Sequence, residues 1–344
     1  MIPIADIHTH PLIPMYYYRK DLGRSLPSAC GFPYTPFGTH IDVPRLKESG
    51  VKIFVACVYA VNRLPLRNCF EVARAQIRLF DLWVADHPET FARAKSPEEV
   101  DRAVADGKIA AVLAVEGGHH LDGNLLNLDA FEEAGVFYLT LTHFLNNGIA
   151  ESSLYAGWSP EKPLTGFGRE LISEMNLKGI AVDVAHCSEA AFWEVAKASR
   201  APLLYSHGGV RPLCDHERNL TDDQARAVAA SGGLVGLILY PGYLKPGLFG
   251  GSIDDALRHL EHWLITVGPK AIALGSDMNG VMVLKDVKDY AGMPRLADAV
   301  VNEFGEGLAR KILFDNALGY MKRVWKVAQL TPARSSPRRK APTG

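Results

Sequence analysis

The chain has 344 residues, 48% hydrophobic and 22% charged, with 37 basic against 38 acidic side chains and a formal charge of −1. That balance suits an ordinary soluble enzyme with a sizeable core, and it excludes the strongly charged surfaces that hold nucleic acid or anionic membranes. The cysteines (Cys30, Cys57, Cys69, Cys187, Cys214) are odd in number and include no C-x-x-C. They argue against a disulfide framework or a structural zinc knuckle and for a reducing compartment. There is no basic-then-apolar leader at the N-terminus and no apolar run of bilayer length, so a cytoplasmic protein is expected.

Short, β-branched, apolar runs recur along the chain, at about 2–7, 52–59, 109–115, 136–141, 179–184, 202–205, 234–239 and 271–274. They are continuously hydrophobic rather than alternating, as in strands buried on both faces. Helical patterns lie between most of them, at 69–87, 164–177, 189–198, 222–230 and 252–267. Thr221-Asp-Asp-Gln224 has the form of a capping box, and Ser188 and Ser252 stand where N-caps belong. Eight strands alternating with helices predict an α/β fold, a (β/α)8 TIM barrel of the metal-dependent hydrolase type, over residues 1–328 as one domain. Residues 11–40, rich in Tyr, Gly and Pro, read as a long loop capping the barrel mouth. Residues 329–344 carry several prolines and basic residues and read as a disordered basic tail.

Barrel enzymes place their chemistry at the carboxyl ends of strands. The first run ends in His8-Thr9-His10, whose imidazoles share one side of the strand, with Cα atoms roughly 6–7 Å apart, close enough for one metal ion. The third run ends in Glu116, the fourth in His143, the fifth in His186, the sixth in His207 and the eighth in Asp277. Imidazoles and carboxylates suit zinc or a similar first-row ion. A carboxylate can bridge two ions as a histidine cannot, and Glu116 lies between the two histidine pairs in chain order, so it is the natural bridge. Water held in such a site ionises near neutral pH and attacks a carbonyl carbon. Gly117 and Gly118 allow close approach of backbone or substrate. Asp183, three before His186, is either a partner behind the ligands or a buried barrel aspartate.

Read together, Glu116-Gly-Gly-His119, Leu-Thr-His143-x-x-Asn-Asn147, Asp-Val-Ala-His186-Cys-Ser, Tyr-Ser-His207, His216-Glu-Arg-Asn219-Leu-Thr-Asp222 and Gly-Ser-Asp277-Met-Asn-Gly280 resemble the membrane (renal) dipeptidase family. This is peptidase family M19, of the amidohydrolase superfamily, and the motifs occur in its order from residue 1 to about 325. The resemblance implies a zinc-dependent hydrolase of dipeptides or dipeptide-like amides. Glu116 would bridge two zinc ions, with His186 and His207 on one and His8 on the other. His143 would donate to the oxyanion, Asp277 would carry the proton from the attacking water to the leaving amine, and Arg218 would pair with the substrate carboxylate. Asn219 belongs to the same substrate-contact loop, and Tyr240 matches a family tyrosine near the substrate or is an ordinary barrel aromatic. A homodimer is what the family suggests.

One position departs from the pattern. The family opens with His-x-Asp, and here the second ligand is His10. A neutral ligand in place of an anionic one weakens one ion, leaving one zinc rather than two, or makes the bound water more acidic. Asp277 then serves as metal ligand, proton shuttle or both. The altered ligand set keeps another amidohydrolase reaction open: lactone or cyclic-amide hydrolysis, deamination or decarboxylation of a small carboxylate-bearing substrate. A non-catalytic barrel is disfavoured, since a binding module has no use for a proton shuttle. His259-Leu-Glu-His262 has ligand spacing but reads as a solvated helix face, and His119 and His120 read as supporting or structural.

Overall fold

The computed structural model describes residues 2–29, 38–60, 68–155, 163–247 and 250–330. Its strands are β1 (Ile4–Thr9), β2 (Val51–Val58), β3 (Phe91–Arg93), β4 (Ile109–Glu116), β5 (Val136–Thr140), β6 (Ala181–Asp183), β7 (Leu204–Gly208), β8 (Leu234–Leu237) and β9 (Ile272–Leu274). Its α-helices are α1 (Leu12–Tyr18), α2 (Val43–Glu48), α3 (Cys69–Ala85), α4 (Pro97–Ala105), α5 (Asn127–Glu133), α6 (Gly166–Lys178), α7 (Glu189–Ala198), α8 (Asp222–Ala230), α9 (Pro241–Leu244), α10 (Ile253–Val267), α11 (Met293–Phe304), α12 (Glu306–Arg310) and α13 (Asn316–Leu330).

All strands run parallel, and eight of them close a ring in the order β2-β1-β9-β8-β7-β6-β5-β4, sealed by β2 against β4. This is the (β/α)8 barrel expected. The runs at 2–7, 52–59, 109–115, 136–141, 179–184, 202–205, 234–239 and 271–274 all become strands of the ring. The addition is β3, which pairs with the first half of β4 at Ile109–Ala111, on the edge that β5 takes over at Leu113. Three residues are too short to show a periodicity, so this strand exists by virtue of its partner rather than its own pattern.

Alternation along the strands decides what reaches the barrel interior. In β4, Ile109, Ala111, Leu113 and Val115 pack into the layer between strands and helices, while Ala110, Val112 and Ala114 pack inside. Glu116 continues the inner parity and stands at the carboxyl end of the strand. Cys57 of β2 is likewise on the inner side. At the other end, Phe314, Ala317, Tyr320, Met321 and Val324 of the C-terminal helical segment join the inner cluster. Tyr320 donates to the carbonyl of Pro202, just before β7, and Asn316 to that of Pro269, just before β9. The amino-terminal mouth is therefore plugged, and only the carboxyl-terminal mouth is left for a site.

Helix ends follow local chemistry. Thr221 and Gln224 form the capping box, Ser188 accepts from the Ala191 amide, and Gly179 ends α6 with φ 67°. The stretch 11–40 differs from the loop expected. It opens with α1, whose Leu12, Ile13 and Met15 are buried, so its apolar face decides its structure against its tyrosines and prolines. Residues 30–37 lie outside the described residues. So does the proposed tail from residue 331 onward, whereas residues 329 and 330 belong to α13. Among the described residues no helix is long and apolar enough to cross a membrane.

Candidate metal centre and substrate site

The carboxyl-terminal mouth gathers the residues named from the strand ends. His8, His10, Glu116, His143, His186, His207 and Asp277 are all buried. Glu116 is their hub. Its Oε1 lies 3.1 Å from His186 Nε2, 3.4 Å from His8 Nε2 and 3.5 Å from His207 Nε2. Its Oε2 lies 3.4 Å from His10 Nε2 and 3.6 Å from His143 Nε2. Asp277 Oδ1 stands 3.1 Å from His10 Nε2 and 3.7 Å from His8 Nε2. Three overlapping groups have ligand atoms within 4.8 Å of one another: His8/His10/Asp277, His8/Glu116/His207 and Glu116/His143/His186.

The hydrogen bonds behind the ring nitrogens fix where protons sit. Tyr138 donates its hydroxyl to the Ile7 carbonyl at 3.1 Å, so it accepts from His8 Nδ1 at 2.6 Å. Ser206 donates its hydroxyl to Asp183 at 2.7 Å, so it accepts from His207 Nδ1 at 2.8 Å. With their protons on Nδ1, His8 and His207 both aim an Nε2 lone pair into the cluster. Their neighbours His10 and His186 bring Nε2 atoms within 3.1 Å of these, in His8–His10 and His186–His207 contacts. Imidazole lone pairs and two carboxylates facing one small space are a donor set that fits a divalent cation.

Electrostatics agree. Burial alone would raise the Glu116 carboxyl, but His143, His8 and His10 hold it well below the usual carboxylate range. Burial pushes His143 down to about 4, against the pull of Glu116. Burial also pushes His186 and His207 well below the normal imidazole range, helped by Arg218 and by His8 respectively. These rings are neutral and available as ligands at neutral pH. His8 moves the other way: burial lowers it, but Cys57 and Glu116 outweigh burial. A proton and any metal ion held there would compete, so metal affinity would fall in acid.

Two members sit in uncommon backbone conformations. His186 has φ 68° and Asp277 φ 59°, left-handed values that cost of order 1–3 kcal/mol for non-glycine residues and cluster at functional sites. Gly280 is required beside them, since a Cβ there would stand 2.2 Å from Asp277 Oδ1 and 2.6 Å from His10 Cδ2. Gly117 and Gly118 serve packing instead of approach: the spaces at their Cα atoms are filled by the His119 ring and by Ile149.

Arg218 lies beside the histidine cluster, 2% exposed. It donates to the His207 carbonyl at 3.3 Å and stacks 5.6 Å over the Tyr243 ring, and its Nε has no partner. Among the described residues no carboxylate forms an ion pair with it. Asn219 is fully engaged: it accepts from the Gly209 amide and donates to the Cys214 and Tyr243 carbonyls, all at 2.8 Å. It therefore shapes the loop that carries Arg218. Tyr240 is half-buried and packs edge-on against Tyr243 at 4.8 Å. Tyr59 packs its ring edge-on against His10 at 5.7 Å and His143 at 5.0 Å.

His259 corrects the solvated-face reading. It is fully buried, accepts from the Val210 amide at 2.9 Å and donates to the Leu244 carbonyl at 3.0 Å, joining the loops around Arg218 and Tyr243. His262 pairs with Asp222. His120 holds Ala60 and Gly117 through its two ring nitrogens, which makes it structural. The sequence reading missed Tyr138, Cys57, Tyr59, Tyr243 and a clamp in which His40 and Asn279 exchange hydrogen bonds, His40 N to Asn279 Oδ1 at 2.7 Å and Asn279 N to His40 Nδ1 at 3.0 Å. The only local signal was the nearness of Asn279 to Asp277.

A closed parallel barrel with histidines and carboxylates at its carboxyl-terminal mouth defines a metal-dependent hydrolase. More narrowly, the chain belongs to the membrane dipeptidase family, peptidase family M19, whose profile it matches over residues 5–336. It is 34% identical over 311 residues to an uncharacterised dipeptidase of Schizosaccharomyces pombe, covering 85% of this chain and 73% of that one. It is 32% identical over 240 residues to an uncharacterised Klebsiella pneumoniae protein encoded in the pqqA 5′ region, covering 67% and 88%. Among solved structures it is similar to dipeptidase AC, a metallopeptidase of family M19 (25% identity, TM-score 0.85, 94% of this chain and 99% of that one). A metallopeptidase from Rhodobacter sphaeroides, solved with a phosphinate mimic of the dipeptide L-Ala-D-Ala, is also 25% identical, with TM-score 0.82 and the same coverage. The protein is thus an enzyme of the metallo-dipeptidase type.

Proposed function

We propose that the protein is a zinc-dependent dipeptidase working with two ions per chain, one held by His186, His207 and Glu116 and the other by His8, His10, Glu116 and Asp277. The observation that carries this reading is Glu116: its Oε1 faces His186, His207 and His8 and its Oε2 faces His10 and His143, so one carboxylate touches the imidazoles of both sets. Asp277 takes the place in the second set that the missing family aspartate leaves open, 3.1 Å from His10. Ions bound there supply Lewis acidity to the scissile carbonyl and lower the pKa of water.

The chain's own groups do the rest. Arg218, a buried guanidinium without a carboxylate partner among the described residues, binds the substrate's free carboxylate. Tyr243 and Asn219 hold Arg218 and its loop in place. Asp277 accepts the proton of the attacking water and delivers it to the leaving amine. His143, neutral and buried, donates to the oxygen on which negative charge develops. Tyr240 and Tyr59 border the space left for the two substrate residues. The phosphinate in the Rhodobacter sphaeroides relative is tetrahedral at phosphorus, the geometry an amide carbon takes when water adds, and its second residue is D-configured. Both configurations at the C-terminal residue therefore belong in the test.

The test is hydrolysis of a dipeptide panel by zinc-reconstituted protein, with and without a chelator. Chelator-sensitive turnover of free-carboxylate dipeptides is expected. No turnover by folded, metal-loaded protein refutes the reading and directs the search to lactones and cyclic amides.

A further inference from the structure

Two parts of the barrel mouth are built to one plan, of which only the Ser206 contacts with Asp183 and His207 have entered the chemistry above. Asp6 and Asp183 are both fully buried. Asp6 of β1 is in register with Leu274 of β9, and Asp183 of β6 with Leu204 of β7. Two residues beyond that partner stands a serine each time, Ser276 and Ser206. Asp6 Oδ1 accepts the amides of Ser276 (2.9 Å) and His8 (3.4 Å), and its Oδ2 accepts the hydroxyls of Ser276 (2.5 Å) and Tyr290 (2.8 Å). Asp183 Oδ1 accepts the amides of Ser206 (3.0 Å) and Ala185 (3.1 Å), and its Oδ2 accepts the hydroxyls of Ser206 (2.7 Å) and Thr140 (2.6 Å). The same atoms take the same kinds of donor in the same register.

What each pair joins is a set of ligands. Ser276 immediately precedes Asp277, and Asp6 lies two residues before His8. Ser206 immediately precedes His207, and Asp183 lies three before His186. Each pair ties together two adjacent strands just below the point where both turn their ligands into the site. Each set also contains one left-handed residue, Asp277 or His186, a conformation that persists only where its surroundings over-determine it. With four donors apiece, the two carboxylates are engaged away from the centre. The two arrangements share no hydrogen bond.

We propose that Asp6–Ser276 and Asp183–Ser206 are two independent positioning buckles, one for each metal ion: the first sets the ion held by His8, His10 and Asp277, the second the ion held by His186 and His207. This rests on the two-ion reading above. The second buckle also fixes the His207 tautomer through Ser206, whereas Ser276 accepts from the Met278 amide instead. Loss of Ser206 is therefore the more damaging of the two.

The test uses the full chain loaded with cadmium, read by cadmium-113 NMR and by competitive chelator titration. Ser276→Ala and Ser206→Ala should each weaken one ion ten- to hundredfold and shift one resonance, a different one in each variant, leaving the other ion within about twofold. Asp6→Asn should reproduce the Ser276→Ala pattern and Asp183→Asn that of Ser206→Ala, which guards against a variant that fails to fold. The proposal is overturned if both serine variants weaken the same ion, weaken both ions equally, or weaken neither. A wild-type chain that takes up a single ion instead brings down the two-ion reading, and with it the proposal, before any variant is made.

Discussion

Replacing Arg218 by Met removes the guanidinium while keeping a side chain long enough to lie over Tyr243, so it separates charge from packing. At 2% exposure, solvent screens the site little. A unit charge pair about 4 Å apart at an effective dielectric constant near 20 is worth about 4 kcal/mol, within the 2–5 kcal/mol measured when one member of a buried, hydrogen-bonded pair is truncated. At 1.4 kcal/mol per factor of ten, kcat/KM for a dipeptide with a free carboxylate should fall about a thousandfold. The assay compares each dipeptide with its C-terminal amide. The amide has no charge for the guanidinium to meet, so on it the variant should lie within about fivefold of the wild type. Arg218→Lys should recover only part of the loss, since an ammonium is a point charge without the two-pronged geometry. An equal fall on dipeptide and amide refutes the carboxylate role and makes Arg218 a structural residue of its loop.

Three further outcomes follow from the same geometry. Glu116→Ala should strip the metal and abolish turnover, because one carboxylate faces both histidine sets; elemental analysis showing two retained ions contradicts the bridge. His143→Leu should lower kcat by about a hundred- to a thousandfold, the cost of one oxyanion donor, with KM and metal content little changed; steady-state kinetics with metal analysis decides. Acid should destabilise the fold. Burial holds His40, His120, His143 and His259 at about 4 and His119, His186 and His207 well below the ordinary 6.5, so the unfolded chain takes up protons that the native state refuses as pH falls from 6.5 towards 4. Asp6, raised by burial to about 6 from 3.8, works in the opposite sense and offsets one of them. The depressed imidazoles outnumber the raised groups, so stability falls as the pH drops through this window, by roughly one to a few kcal/mol per pH unit. Urea midpoints that stay level between pH 6 and 5 contradict this balance.

The residues that the fold gathers at the barrel mouth were largely legible in the order of the sequence. Each member of the histidine–carboxylate cluster stands at or just after the end of an apolar run, because a strand buried on both faces must be largely apolar and the polar residues that close it emerge at the barrel mouth. His8, Glu116, His143, His186, His207 and Asp277 were recognisable on that ground, and Thr221 and Ser188 marked helix starts through contacts three residues away. The tertiary structure alone decided what surrounds them. The partner of His8 Nδ1 is Tyr138, 130 residues on, and the donors to Asp6 are Ser276 and Tyr290, 270 and 284 residues away. His259 reads as half of a solvated helix face and is buried because the Arg218 and Tyr243 loops fold over it. β3 is a strand only because β4 offers it an edge. Period and spacing report a segment's own preference for a face, whereas a hydrogen bond between distant strand ends depends on the register and closure of the whole barrel, which no local pattern encodes.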